Sequence, residues 1–173
     1  AKLVGEAIVL TVLLGSTLKF DGRFIFQTQT DGPVRMLVID FRSPGKVRAC
    51  ARFDAAQVEA AIASGKTDPG LLLGKGHLAM TIDQGPEMSR YQGVVALEGG
   101  DLEAAAHEYF RRSEQIPTRV RLAVAEEFSP GSTRRWRAGG ALLQFLPLAS
   151  DRARQADLDP GDAPEGTAPH TVA

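Results

Sequence analysis

One cysteine, Cys50, is all that the sequence has. That excludes a disulfide framework within the chain and a zinc site built from its own cysteines, and the scarcity suits a reducing cytoplasm. Aromatic side chains are few as well, 6% of 173 residues, which leaves little for stacking on bases. Charge of one sign is not in excess: 20 Lys and Arg stand against 21 Asp and Glu, a net charge of −1. No global field therefore draws the chain to nucleic acid or to an anionic membrane. Long apolar runs are also missing. The run that starts at Leu3 is well short of the roughly 20 residues a bilayer core requires, and Glu6 and Thr11 fall inside it. Lys2 ahead of that run gives it the outline of a signal peptide, but Glu6 interrupts the approach and no A-x-A-like cleavage site follows.

Catalytic constellations are absent too. His77, His107 and His170 fall on a strand start, a helix face and the C-terminal tail, and no nucleophile is placed beside any of them. Ser113, Glu108 and His107 share one helix, where adjacent residues point apart, so they form no hydrolase triad. Gly74, Lys75 and Gly76 have neither the P-loop spacing nor a dinucleotide fingerprint. The chain reads as a non-enzyme.

What is present is enough apolar material for one sizeable core. Hydrophobic residues make up 43% and charged residues 24%, an ordinary soluble globular composition, and a domain of this size buries roughly 70% of its unfolded surface. The organising stretch runs from Tyr91 to Ala125 and reads as strand, helix, strand. Asp101 can accept the free N–H groups of a first helical turn, and Leu102, Ala105, Ala106, Tyr109 and Phe110 recur at helical spacing. Glu103, His107, Arg111 and Glu114 take the opposite, solvated face. Pro117 stops the helix near residues 113–115. Beyond it Val120, Leu122 and Val124 alternate with Arg119, Arg121 and Ala123, the pattern of a half-buried strand.

The rest falls into order around that stretch. Residues 3–15 predict a helix apolar nearly all round, which belongs inside a domain. RFIFQTQT, VRMLVIDF and KVRACARF, separated by Asp31-Gly32-Pro33 and Ser43-Pro44-Gly45, predict a three-stranded meander. Asp54 with Gln57 opens a short amphipathic helix in capping-box fashion, and Gly65 closes it. Thr67 to Gly70 form a turn and GLLLGKG a connector. HLAMTID and MSRYQGVVAL are two strands joined at Gln84 to Glu87; residues 128–135 form a loop, and WRAGGALLQFLP completes a hairpin with the strand at 118–125. The expected class is α+β, antiparallel β meanders packed with a few helices of which at least one is largely buried. Residues 1–147 form the domain. Residues 148–173, with Pro160, Pro164 and Pro169 and almost no large apolar side chain, form the start of a flexible linker.

Four features can carry function. Glu103 and His107, four apart, offer two metal ligands on one helix face, too few for a site. Cys50 shares a strand face with Arg48 and Arg52, whose charge favours a thiolate; a packed, inert thiol is the plainer reading. Arginines 111, 112, 119, 121, 134, 135 and 137 offer a patch for RNA or another polyanion, which the neutral net charge and the neighbouring acids Glu108, Glu114, Glu126 and Glu127 argue against. Finally, there is an apolar surplus on strands whose second face has no assigned cover. Phe24, Phe26, Met36, Val38, Leu143 and Phe145 are its large side chains, and they are either core or a surface for binding apolar chains.

YQGVVALEG at 91–99 followed by YFRRSEQIPTR at 109–119 resembles the signature of the bacterial redox-regulated holdase chaperones, the thirty-three-kilodalton heat-shock proteins. STLKFDG at 16–22, TDGP at 30–33, LLGKGHLAMTI at 72–82 and GGALLQFLP at 139–147 are similar to further blocks of that family in the same order. The resemblance implies the N-terminal substrate-binding domain of an ATP-independent, cytoplasmic stress chaperone. Its partners would be unfolding client proteins and a second copy of itself, with no membrane and no nucleic acid. In the family, several dozen residues precede the first helix, and a linker and a module with four zinc-binding cysteines follow. Oxidation of those cysteines releases zinc and uncovers the client surface. Cys50 matches none of the four, so the expectation is an ungated domain, truncated at its start, that binds no cofactor.

Overall fold

Residues 3–14 are apolar on nearly every side, and the fold surrounds them. A computed structural model describes residues 1–18, 21–85, 89–114, 116–128 and 134–145, and in it helix α1 spans Lys2–Gly15. Leu3, Ala7, Leu10 and Leu14 are buried, and Val4, Ile8 and Val12 pack half-buried against the same core. Thr11 is fully buried as well, and its hydroxyl donates to the Ala7 carbonyl at 2.7 Å. A polar group can sit inside a helix when the preceding turn accepts its proton.

Two antiparallel layers enclose α1. Strands β1 (Arg23–Thr30), β2 (Val34–Arg42), β3 (Lys46–Phe53), β4 (Lys75–Asp83) and β5 (Tyr91–Glu98) form one sheet in the order β3-β2-β1-β4-β5. Strands β6 (Thr118–Glu127) and β7 (Arg135–Gln144) form a separate ribbon. Small residues let the layers approach. A Cβ on Gly15 would lie 2.3 Å from the Phe41 ring of the large sheet, and one on Gly140 would lie 2.8 Å from Val9 on the ribbon side. The expected α+β class, the meander of β1 to β3, the two later hairpins and the buried helix are all present.

Three more helices complete the described residues. Helix α2 (Ala55–Ala63) opens as the sequence predicts: Asp54 accepts the Gln57 backbone N–H and its side-chain amide, both at 3.1 Å. Helix α3 (Pro69–Leu73) corrects the expected connector. Asp68 accepts the Gly70 N–H at 2.9 Å, Pro69 sits at the first turn and Leu73 is fully buried, which together hold one turn of helix too short to show a period. Helix α4 (Leu102–Tyr109) is capped by Asp101, which accepts the Ala104 N–H at 2.8 Å. It then loosens into a π-helical turn, Phe110–Glu114, rather than running on regularly. The predicted turn at 84–87, the loop at 128–135 and the tail at 148–173 fall wholly or partly outside the described residues.

Candidate functional site

Strand alternation divides the large sheet into a covered face and an open one. Phe24, Phe26 and Thr28 of β1, Leu37, Ile39 and Phe41 of β2, and Leu78 and Met80 of β4 share the face turned to the core and are buried. Phe26 stands between Ile39 and Met80 in register. Phe24 and Phe26 therefore correct the expectation of an uncovered face: they are 4% and 0% exposed. The cover comes from α1, an element that no local pattern assigns to β1. Burying each ring contributes about 1.5–3 kcal/mol to the fold.

On the opposite face, register places Cys50, Val38, Gln27, Ala79 and Val94 side by side across all five strands. This row carries no charge. The next carries Arg52, Met36, Gln29, His77 and Ala96. Val94 is 59% exposed, and Val38 and Met36 are half-buried. On the other side of the neutral row the face carries charges that pair with one another. Arg23 Nε and Nη2 donate to the two Asp40 oxygens at 3.2 and 2.7 Å, Arg48 Nη2 adds a bond at 2.8 Å, and Arg90 pairs with Asp83 at 3.2 Å. The bond from Arg23 chiefly, with Arg48 behind it, holds the Asp40 carboxyl below the usual carboxylate range. Sequence reasoning found Met36 and Val38 here and missed Val94, because Val94 and Val95 are adjacent and equally apolar. The signal was Gly93, whose missing side chain makes room for Tyr109: a Cβ there would lie 2.2 Å from the ring. Gly93 and Val95 thus face inward and Val94 outward.

Leu143 and Phe145 lie elsewhere, 63% and 69% exposed at the end of the ribbon. They join Ile116 and Pro117 in an open groove of about 700 Å³ with Arg111 and Arg119 at its rim. The Phe145 N–H donates to the Pro117 carbonyl at 2.9 Å, which extends the ribbon's ladder into the groove. So the sequence-predicted residues separate into three places: two in the core, two on the open face and two in the groove.

Glu103 and His107 also correct the sequence reading. They do not lie on a solvated face. Helix α4 packs beside the edge of β6 that β7 leaves free, where Val120 N–H donates to His107 Nε2 at 2.9 Å and Leu122 N–H to Glu103 Oε1 at 2.7 Å. Glu103 Oε2 also accepts from Arg121 at 2.9 Å. The arginines expected to form a basic patch are largely engaged by acids. Arg111 and Arg112 hold Glu108, and Arg121, Arg134 and Arg137 pair with Glu103, Glu126 and Glu127. Cys50 is exposed on the open face, opposite Val38. Cys50 is the single cysteine of the sequence, and among the described residues no three His, Cys, Asp or Glu side chains converge. No helix among the described residues is long and apolar enough to cross a membrane.

Comparison with known proteins bears on this arrangement. A family described as Hsp33 protein matches residues 1–163. The 33 kDa chaperonin of Caulobacter vibrioides is 51% identical over 162 residues, covering 92% of this chain and 52% of that protein. The 33 kDa chaperonin of Photorhabdus laumondii is 41% identical over 155 residues, covering 90% and 49%. A crystal structure of the 33 kDa chaperonin from Thermotoga maritima aligns with a TM-score of 0.66 at 25% identity, over 82% of this chain and 47% of that one. The chain spans about half the length of the curated relatives it matches.

Proposed function

The chain belongs to the Hsp33 protein family, and from that membership we propose that it is an ATP-independent holdase domain of the cytoplasm, binding unfolding proteins through exposed apolar surface. The observation that carries the reading is the uncharged row across the open face of the large sheet, with Val38 on β2 and Val94 on the edge strand β5. Unfolding chains expose apolar segments of no fixed sequence. A broad, neutral surface suits them better than a shaped pocket with a few fixed polar groups, because its attraction is non-directional and scales with area. The groove with Leu143 and Phe145 is a second apolar surface, one with Arg111 and Arg119 beside it. A redox gate, as the resemblance implies, would need cysteines other than Cys50, so the domain by itself binds clients without oxidation. Association of two copies belongs to the same proposal. The free edge of β5 is uncharged from Tyr91 to Leu97, whereas the edge at β3 carries Lys46, Arg48 and Arg52, which repel a second copy of themselves.

Light scattering from a chemically unfolded client tests the reading. Under reducing conditions the domain should suppress aggregation, and moderate salt should leave that protection intact, since apolar contact is not screened. Protection that appears only with peroxide would overturn it. Protection that collapses with salt would favour polyanion-like binding through the arginines instead.

A further inference from the structure

Val120 N–H and Leu122 N–H lie on the free edge of β6, where a neighbouring strand would normally accept them. Helix α4 supplies the acceptors from side chains. Glu103 and His107 are one turn apart, a rise of about 6 Å along the helix. Alternate residues of a strand are about 6.7 Å apart, so the two acceptors keep step with the two donors. The carboxylate is an acceptor by nature. An imidazole Nε2 is one only when unprotonated, which places the ring's proton on Nδ1.

We propose that His107 is a pH-sensitive latch between α4 and the β6–β7 ribbon: protonation turns its Nε2 into a donor facing the Val120 N–H and releases that part of the β6 edge, while Glu103 keeps its hold on Leu122. Val120 is fully buried, so water does not readily replace the lost acceptor. The charged neighbours come from several elements. Glu103 and Arg111 lie one turn away on either side along the helix, and Glu108 is turned to Arg111 and Arg112. From β6 come Arg119, which shares the groove with His107, and Arg121, held by Glu103. Glu6 of α1 lies toward the far, N-terminal end of α4, near Asp101 and Glu103. The inward side of β5 brings Gly93, Val95 and Leu97, none of them charged.

Nitrogen-15 NMR on the wild-type chain tests this directly. At about pH 8 the His107 ring should be the Nδ1–H tautomer. On acidification until the His107 ring nitrogen shifts report the imidazolium, the protection factor of the Val120 amide should fall roughly tenfold, the value of one net hydrogen bond, while that of Leu122 is kept. His107→Gln retains an acceptor that does not titrate, so its Val120 amide should stay protected at both pH values; His107→Ala should be unprotected at both. An Nε2–H tautomer at the higher pH, a wild-type Val120 amide indifferent to pH, or an equal acid loss in the Gln variant would each overturn the latch. The tautomer measurement needs no variant, so it decides even where His107→Ala fails to fold.

Discussion

Two carboxylates in this chain answer to pH with opposite sign, and the environment of each decides which. Glu6 sits on α1 at 8% exposure. Burial pushes its pKa up; Lys2 Nζ at 4.0 Å opposes this, while Asp101, Glu103 and Asp68 add to the rise. A native state that holds this proton more tightly than the unfolded chain loses stability as pH climbs from the ordinary carboxylate range through the raised value. Glu6→Gln should therefore raise the denaturant midpoint at neutral pH, and the gain should shrink on acidification; a Gln variant less stable than its parent at neutrality would refute the burial argument. Asp40 is the reverse case. Its pKa is lowered by Arg23 first and Arg48 next, so its stabilisation is complete above the ordinary carboxylate range and is lost as pH falls through the depressed value. Arg48 is 82% exposed and Arg23 41%, so solvent screening discounts these bonds. Asp40→Asn should cost about 1 kcal/mol at neutral pH and less in acid, read from midpoints at constant denaturant slope.

Elements whose signal is local were legible in the sequence, and those defined by a partner far along the chain were not. The caps at Asp54 and Asp101 depend on residues three positions on, and the alternation of β1, β2 and β6 lies within each strand. The docking of Glu103 and His107 on β6 depends on donors 19 and 13 residues away, and nothing in the helix announces it. Phe24 and Phe26 were misread for the same reason, since their cover arrives from α1. The paired glycines of β7 show how far alternation alone can reach once the partner is known. Gly140 faces α1, where a Cβ would fall 2.6 Å from the Arg121 carbonyl oxygen and 2.8 Å from Val9; Gly139 faces away, with nothing within 4 Å. Gly140→Ala should cost about 1–3 kcal/mol through overpacking, whereas Gly139→Ala should change stability by no more than about 0.5 kcal/mol. Thermal melts of the two variants check it, and equal losses would mean that α1 does not pack against the ribbon as described.

At the scale of the whole molecule, a helix apolar all round needs layers on both sides, and the larger layer is then left with one face covered and one open. The meander and the hairpins could be read beforehand, but not their joining into one sheet or the open face, because both follow from β1 pairing with β4 on the edge that β2 leaves free. If the open face receives clients, its apolar residues are separable from stability. Val38→Lys with Val94→Lys puts two charges into the neutral row without touching the core, so the melting behaviour should stay within about 1 kcal/mol of the parent while suppression of client aggregation is largely lost. Phe26→Ala should do the opposite kind of damage, costing about 3–5 kcal/mol of fold stability from the covered side of the same sheet. The groove provides the alternative. Leu143→Ser with Phe145→Ser removes its two exposed apolar side chains, and if that pair abolishes protection while the Val38 and Val94 pair does not, clients bind at the end of the ribbon and the sheet's open face serves some other contact.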